Sequence, residues 1–243
     1  MKSFLLIVSF FTRLPVPRVE WSEEEYRKGM IFLPFVGLIL GGILYGMSLL
    51  LAYQPRLPKG IILYFLYLAL TGGMHFDGLA DSMDALFSGR EREKQWQILK
   101  DSTLGVFGVI SLIVASLFYV YLFEEHQLAL LLIPLAGRVI GMCASYRQSH
   151  YQSEGMGRLF FDALKLIHLI VGLLLMVGLS YWLLGLRSLA AFGIALLLSF
   201  AIRDAINKQW GGLSGDGIGM IFEFSSIVYG LSLLLGGAFC VLF

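Results

Sequence analysis

The sequence predicts an all-α protein, a polytopic membrane helix bundle of about seven transmembrane helices plus an N-terminal interfacial helix. Three observations carry that expectation. Of the 243 residues, 58% are apolar and 14% charged, where a soluble domain carries roughly 25% charged. Mean hydropathy is +0.79. Apolar runs of about twenty residues recur along the chain, the length a helix needs to cross hydrocarbon. No soluble domain or low-complexity linker interrupts them, so residues 1–243 read as a single integral membrane domain in a lipid bilayer. The formal charge of +1, with no basic face and no RNA-binding signature, argues against nucleic acid as a partner.

Taken in order, Lys2 and the apolar residues 4–11 resemble the start of a signal peptide, but no small-residue cleavage site follows. The run is too short to span and is expected to be an interfacial or re-entrant helix retained on the protein. Candidate spans follow near residues 30–53, 60–82, 104–123, 128–146, 164–186, 188–206 and 217–243. Pro34 and Pro134 fall inside spans and are expected to kink them. Gly37, Gly41, Gly42 and Gly46 permit close helix contact. The fifth and sixth spans are separated only around Gly185-Leu186-Arg187-Ser188 and should form a tight antiparallel hairpin. Residues 89–100, rich in Arg, Glu, Lys and Gln around Trp96, Ile98 and Leu99, read as an amphipathic surface helix. Cys143 and Cys240 lie in apolar segments and read as small hydrophobes.

The basic residues set the orientation. Lys2, Arg13, Arg18, Arg27 and Lys28 precede the first span; Arg90, Arg92, Lys94 and Lys100 fill the second connection. Arg147, Arg158 and Lys165 lie in the fourth, and Arg203 and Lys208 in the sixth, whereas the other side carries only Arg56, Lys59 and Arg187. The bias places the N-terminus inside and the polar connections on the cytoplasmic face of the cell (inner) membrane.

The chemistry gathers at the end of the second span, in Thr71-Gly72-Gly73-Met74-His75-Phe76-Asp77-Gly78-Leu79-Ala80-Asp81-Ser82-Met83-Asp84. Asp77, Asp81 and Asp84 at i, i+4, i+7 share one helical face, where like charges repel. Near hydrocarbon that repulsion calls for a cation, and magnesium holding phosphate is the natural candidate. Asp101 and Asp216 are two further candidate ligands. The plainer alternative is that these acids cap helices or pair with Arg90 and Lys100. His75 lies on a different face from Asp77 unless Gly72-Gly73 unwind that turn; it could be a base, a phosphate ligand or a structural hydrogen-bonder. Arg138, in mid-span, must find an anion, either an aspartate or a phosphate. His168 reads as structural. The fourth connection holds Arg147, His150, Glu154 and Gly155-Met156-Gly157. The sixth runs through Lys208 to five glycines within residues 211–219, including Gly212, Ser214, Gly215 and Asp216, where exposed N–H groups could hold phosphate. Glu223 sits inside the last span, where a lone carboxylate is rarely idle.

Thr12-Arg13-Leu14-Pro15-Val16-Pro17, the acidic block, Lys100-Asp101-Ser102-Thr103-Leu104-Gly105, Gly137-Arg138, and Gly211-Gly212-Leu213-Ser214-Gly215-Asp216 with Glu223 occur in this order. Together they resemble the cobalamin synthase family, the adenosylcobinamide-GDP ribazoletransferases, although Ser214 and Gly217 stand where that family more often shows threonine or valine. The resemblance implies a membrane enzyme joining adenosylcobinamide-GDP to α-ribazole or its 5′-phosphate, with release of GMP and a requirement for Mg²⁺. It implies Asp77, Asp81, Asp84, Asp101 and Asp216 around the metal. His75, Asp77, Asp81 and Lys208 are then catalytic candidates, and Arg90, Lys100, Ser102, Arg138, Gly212, Ser214 and Gly215 are expected to contact substrate. The oligomeric state is left open, a homo-oligomer included. Two other readings compete. A CDP-alcohol phosphotransferase would share the chemistry, but its arginine is missing after Asp77-Gly78-Leu79-Ala80-Asp81. An ion-coupled transporter would use intramembrane acids and broken helices, but no two-fold repeat is visible.

Overall fold

A computed structural model describes residues 1–125, 127–148 and 155–240. His126, His150, Glu154 and the Cys240 side chain lie outside the described residues. The elements are α1 (Lys2–Phe11), α2 (Glu23–Gly29), a 3-10 turn (Met30–Phe32), α3 (Leu33–Leu50), α4 (Arg56–Thr71) and α5 (Met74–Phe87). They continue with α6 (Arg92–Ile98), α7 (Val106–Glu125), α8 (Ala129–Ser145), α9 (Met156–Ala163), α10 (Leu166–Trp210) and α11 (Gly215–Cys240). The fold is helical throughout, as expected.

Among the described residues four helices are long and apolar enough to cross a membrane, or five if the bent pair α4–α5 counts as one span. The expected seven is not reached by this measure, for three local reasons. The predicted span 60–82 is not one helix. Gly72 (φ 65°) and Gly73 (φ 69°) adopt left-handed backbone, which costs glycine little, and α5 leaves α4 at 93°. α10 contains 45 residues in one run, but Gly185 (φ 67°, ψ −159°) is non-helical and divides it into two arms. α8 has only 17 residues.

The hairpin expected around residues 185–188 turns at this glycine. The second arm runs antiparallel to α11, with Ser188 Oγ 2.6 Å from Tyr229 OH and Ser199 Oγ 2.8 Å from Ser225 Oγ. At the turn, Arg187 Nε donates to Leu233 O at 2.8 Å. At the other end, Trp210 Nε1 donates to Gln95 Oε1 of α6 at 2.9 Å. The short α6 realises the amphipathic surface helix by burying Gln95 and Trp96 and exposing its charged residues.

α8 is the central helix, buried along almost its whole length and packed by α3, α10 and α11. Helix association in hydrocarbon gains little from the hydrophobic effect, so close approach at small residues does the holding. A Cβ at Gly37 would stand 2.7 Å from Leu135 Cα, and one at Gly41 would stand 2.7 Å from Leu130 O. Among the described residues, a Cβ at Gly42 or Gly46 would meet nothing within 4 Å. Pro34 stands in the first turn of α3, directly after the 3-10 turn Met30–Phe32 that interrupts the candidate span Glu23–Leu50. Pro134 does lie inside α8. α1 docks on α2 and α3 by burying Leu6, Ile7, Val8 and Phe11. His168 accepts from the Lys165 N–H at the start of α10 (3.3 Å), the structural role expected of it.

Candidate active site

The right-angle turn at Gly72-Gly73 lays α5 across the starts of α7 and α11. Its contact with α11 depends on two glycines. A Cβ on Gly78 would lie 2.8 Å from Asp216 O and 2.9 Å from Asp216 Cα, and one on Gly219 would lie 3.3 Å from His75 Cα. Only backbone-to-backbone approach fits there, and it brings Asp216 to the acidic face of α5.

Two cavities open beside this contact. The larger, about 550 Å³, is lined by Arg13, Gly72, Gly73, Asp77, Asp81 and Ser102 together with Met74, Phe76, Ala80, Leu104 and Leu112. The smaller, about 210 Å³, is lined by His75, Asp77, Gly78, Gly157, Gly215, Asp216 and Gly219 and by the aromatic rings of Phe10, Phe11, Tyr26, Phe160 and Phe222. Asp77 lines both. The N-terminal segment and the second, fourth and sixth connections, which the sequence assigns to one face, therefore do meet around these cavities. Asp81 is half-buried and lies in the field of Asp77, Asp216 and Asp84. Partial burial and like charge both oppose keeping all of these acids ionised without a cation.

The other carboxylates are engaged elsewhere. Asp84 is buried, and its two oxygens accept from Gly105 N (2.7 Å) and Gly108 N (2.9 Å), which caps α7. A Cβ at either glycine would collide with that carboxylate. Asp101 is exposed and accepts from Thr103 N at 3.0 Å, a bond that holds its carboxyl below the usual range. The capping alternative therefore describes Asp84, whereas Asp101 closes a local turn onto Thr103 N ahead of α7. Among the described residues no three His, Cys, Asp or Glu side chains converge into a metal cage. Asp77, Asp81 and Asp216 are the carboxylates left facing the cavities. That set fits magnesium, which takes one or two carboxylates and fills its octahedron with water and substrate phosphate.

The remaining expected contacts separate into those at the cavities and those away from them. Ser102 lines the larger cavity, while His75 and Gly215 line the smaller. Thus His75 and Asp77 meet one cavity, as unwinding at Gly72-Gly73 would allow. Ser214 is the N-cap of α11, its Oγ accepting from Gly217 N at 2.9 Å, and Gly212 is buried outside both cavities. Arg90, Lys100 and Lys208 are exposed and line neither.

Arg138 is fully buried in α8 and also lines neither cavity. Its Nη1 donates to Tyr67 OH at 2.8 Å. The Tyr67 hydroxyl donates in turn to Glu223 (3.1 and 3.2 Å), as does Tyr119, and His75 Nδ1 stands 3.3 Å from Glu223 Oε1. Glu223 is indeed not idle, but its partners are tyrosines, a histidine and, through Tyr67, an arginine. Sequence spacing gave no sign of Tyr67 or Tyr119. It also passed over Arg13 as a site residue, although Arg13 stands inside the Thr12–Pro17 motif.

The model of the family described as cobalamin-5-phosphate synthase matches residues 3–234. A protein of Alkaliphilus oremlandii named adenosylcobinamide-GDP ribazoletransferase is 36% identical over 239 residues, covering 97% of this chain and 98% of the relative. Proteins of the same name from Acetivibrio thermocellus and Klebsiella pneumoniae strain 342 are 34% and 35% identical, covering 94% and 96% of this chain and 96% and 100% of the relatives. No solved structure matches. With the motifs in order, the acids at shared cavities and a match along nearly its whole length, the chain belongs to the cobalamin-5-phosphate synthase family.

Proposed function

We propose that this chain joins adenosylcobinamide-GDP to α-ribazole or α-ribazole 5′-phosphate, releasing GMP and forming adenosylcobalamin or its 5′-phosphate. Family membership and the names of its relatives support the reaction. The single structural observation that carries it is Asp77 at the common wall of two cavities, with Asp81 facing one and Asp216 the other. A ribazole hydroxyl attacks the phosphorus on the cobinamide side, and the bond to GMP breaks. Asp77, Asp81 and Asp216 are the residues that would hold Mg²⁺. Bound there, it would neutralise phosphate charge and ease departure of the nucleotide. The chain's own part is positioning. The Gly78–Gly219 contact fixes α5 against α11, His75 and Ser102 line the reacting space, and apolar walls limit water.

The basic-residue bias supports a cytoplasmic active face in the inner membrane with the N-terminus inside. Seven crossings follow if α3, α4, α7, α8, the two arms of α10 and α11 each cross once.

The test is GMP release by the purified protein given both substrates and Mg²⁺. The expected result is GMP and corrinoid product in equal amounts, abolished by a chelator and restored by Mg²⁺. Failure to release GMP under any of these conditions, with solute moved across vesicles instead, would establish the transporter reading.

A further inference from the structure

We infer that Arg13 grips the diphosphate of the nucleotide-activated substrate. This rests on the reaction proposed above and adds a residue to it.

Arg13 is the only cation among the described residues lining either cavity. The cations that spacing favours, Arg90, Lys100, Arg138 and Lys208, are all elsewhere. The diphosphate brings its own negative charge to a wall that already carries Asp77 and Asp81. A divalent ion can offset the carboxylates, but the phosphate oxygens beyond its reach need a further positive group. Arginine suits that task because its planar fork meets two phosphate oxygens at once.

The arginine is also held in place. Its backbone N–H donates to Leu70 O at the end of α4 (2.7 Å). On its N-terminal side, Thr12 Oγ1 donates to Val8 O (2.6 Å) and accepts from Leu14 N (3.2 Å), tying the segment to the end of α1. Its stem lies over Gly72, where a Cβ would collide with Arg13 Nε and stand 2.9 Å from Cγ. Gly72 is required for its left-handed backbone, and it also leaves room under this side chain in the position the structure gives it. Among the described residues the guanidinium makes no ion pair, although Asp77 and Asp81 line the same cavity. It shares the cavity with the acids without pairing to them, which leaves it free to meet a ligand there.

The experiment compares wild type, Arg13→Gln and Arg13→Lys as purified full-length proteins, with KM measured separately for each substrate and inhibition measured with inorganic pyrophosphate. Arg13→Gln should raise KM for adenosylcobinamide-GDP by about tenfold or more, since a charged hydrogen bond to phosphate is lost. KM for α-ribazole phosphate should stay within about twofold, and inhibition by pyrophosphate should weaken in parallel. Arg13→Lys should fall between the two, keeping the charge but not the fork. Equal changes in both KM values, or undiminished inhibition by pyrophosphate in Arg13→Gln, would overturn the assignment. An unaltered melting temperature excludes misfolding as the cause, because the side chain is exposed. An inactive wild type would instead sink the proposed reaction, so the two failures are distinguishable.

Discussion

The rim of the two cavities and the interior of the bundle both hold ionisable side chains, but their surroundings differ. At the rim, Asp77, Asp81 and Asp216 line open cavities, and Asp81 lies in the field of other carboxylates. In the interior, Glu223 accepts from Tyr67 and Tyr119 and adjoins His75, while Arg138 reaches Tyr67. His75 joins the two regions, lining the smaller cavity beside Asp77 with its Nδ1 3.3 Å from Glu223 Oε1. The lesson is that an intramembrane charge points to a ligand only when its own protein has left it without partners. In the interior Glu223 has found partners, although Arg138 Nε and Nη2 are buried without one among the described residues, whereas the rim carboxylates make no ion pair among them and face open cavities.

The comparison breaks first at the rim. Asp77→Asn or Asp81→Asn should lower kcat for GMP release by about a hundredfold or more while the protein stays folded, because charge facing the reacting phosphates is removed. Full activity in both variants would remove the rim acids from the chemistry. Next is the contact that assembles the rim. Gly78→Ala places a methyl 2.8 Å from the Asp216 carbonyl oxygen, so α5 must move off α11. Activity should drop by roughly tenfold to a hundredfold, the range that misplacing catalytic groups by about 1 Å produces.

For the interior the readout changes from rate to stability. Arg138→Ala should destabilise the bundle by about 3–5 kcal/mol by leaving Glu223 without its counter-charge, seen as a lower melting temperature. Turnover per folded molecule should change far less than in the rim variants. The smallest effects belong to the exposed cations. Arg90→Gln, Lys100→Gln and Lys208→Gln should each leave kcat/KM within about twofold, since these side chains are solvated and away from both cavities.

Much of this was legible in the sequence. Hydropathy and run length predicted the helical membrane class, charge bias grouped the connections that meet at the cavities, and i, i+4 spacing placed Asp77 and Asp81 on one face. Gly72-Gly73 marked a break, but its direction was hidden, because two left-handed residues allow a bend without fixing its angle. The role of Asp84 was hidden for a different reason. Its spacing is the same whether it binds metal or caps a helix, and the deciding donors, Gly105 and Gly108, come from another helix. For Arg138 an aspartate and a phosphate were both open, because a buried arginine needs an acceptor, and pattern alone cannot show that Tyr67 OH is the one it reaches. Helix length and apolarity alone do not reach the expected count of seven where helices are short or broken, in α8, α10 and the α4–α5 turn.

Asp81 and Asp84 lie three residues apart on α5 and differ only in what faces them, so the most direct measurement is GMP release by Asp81→Asn and Asp84→Asn at equal amounts of folded protein. The account predicts a loss of about a hundredfold for Asp81→Asn and a rate within about threefold of wild type for Asp84→Asn, whose cost falls on the capping of α7. Equal losses in the two variants, or an Asp81→Asn protein that turns over at the wild-type rate, would contradict it.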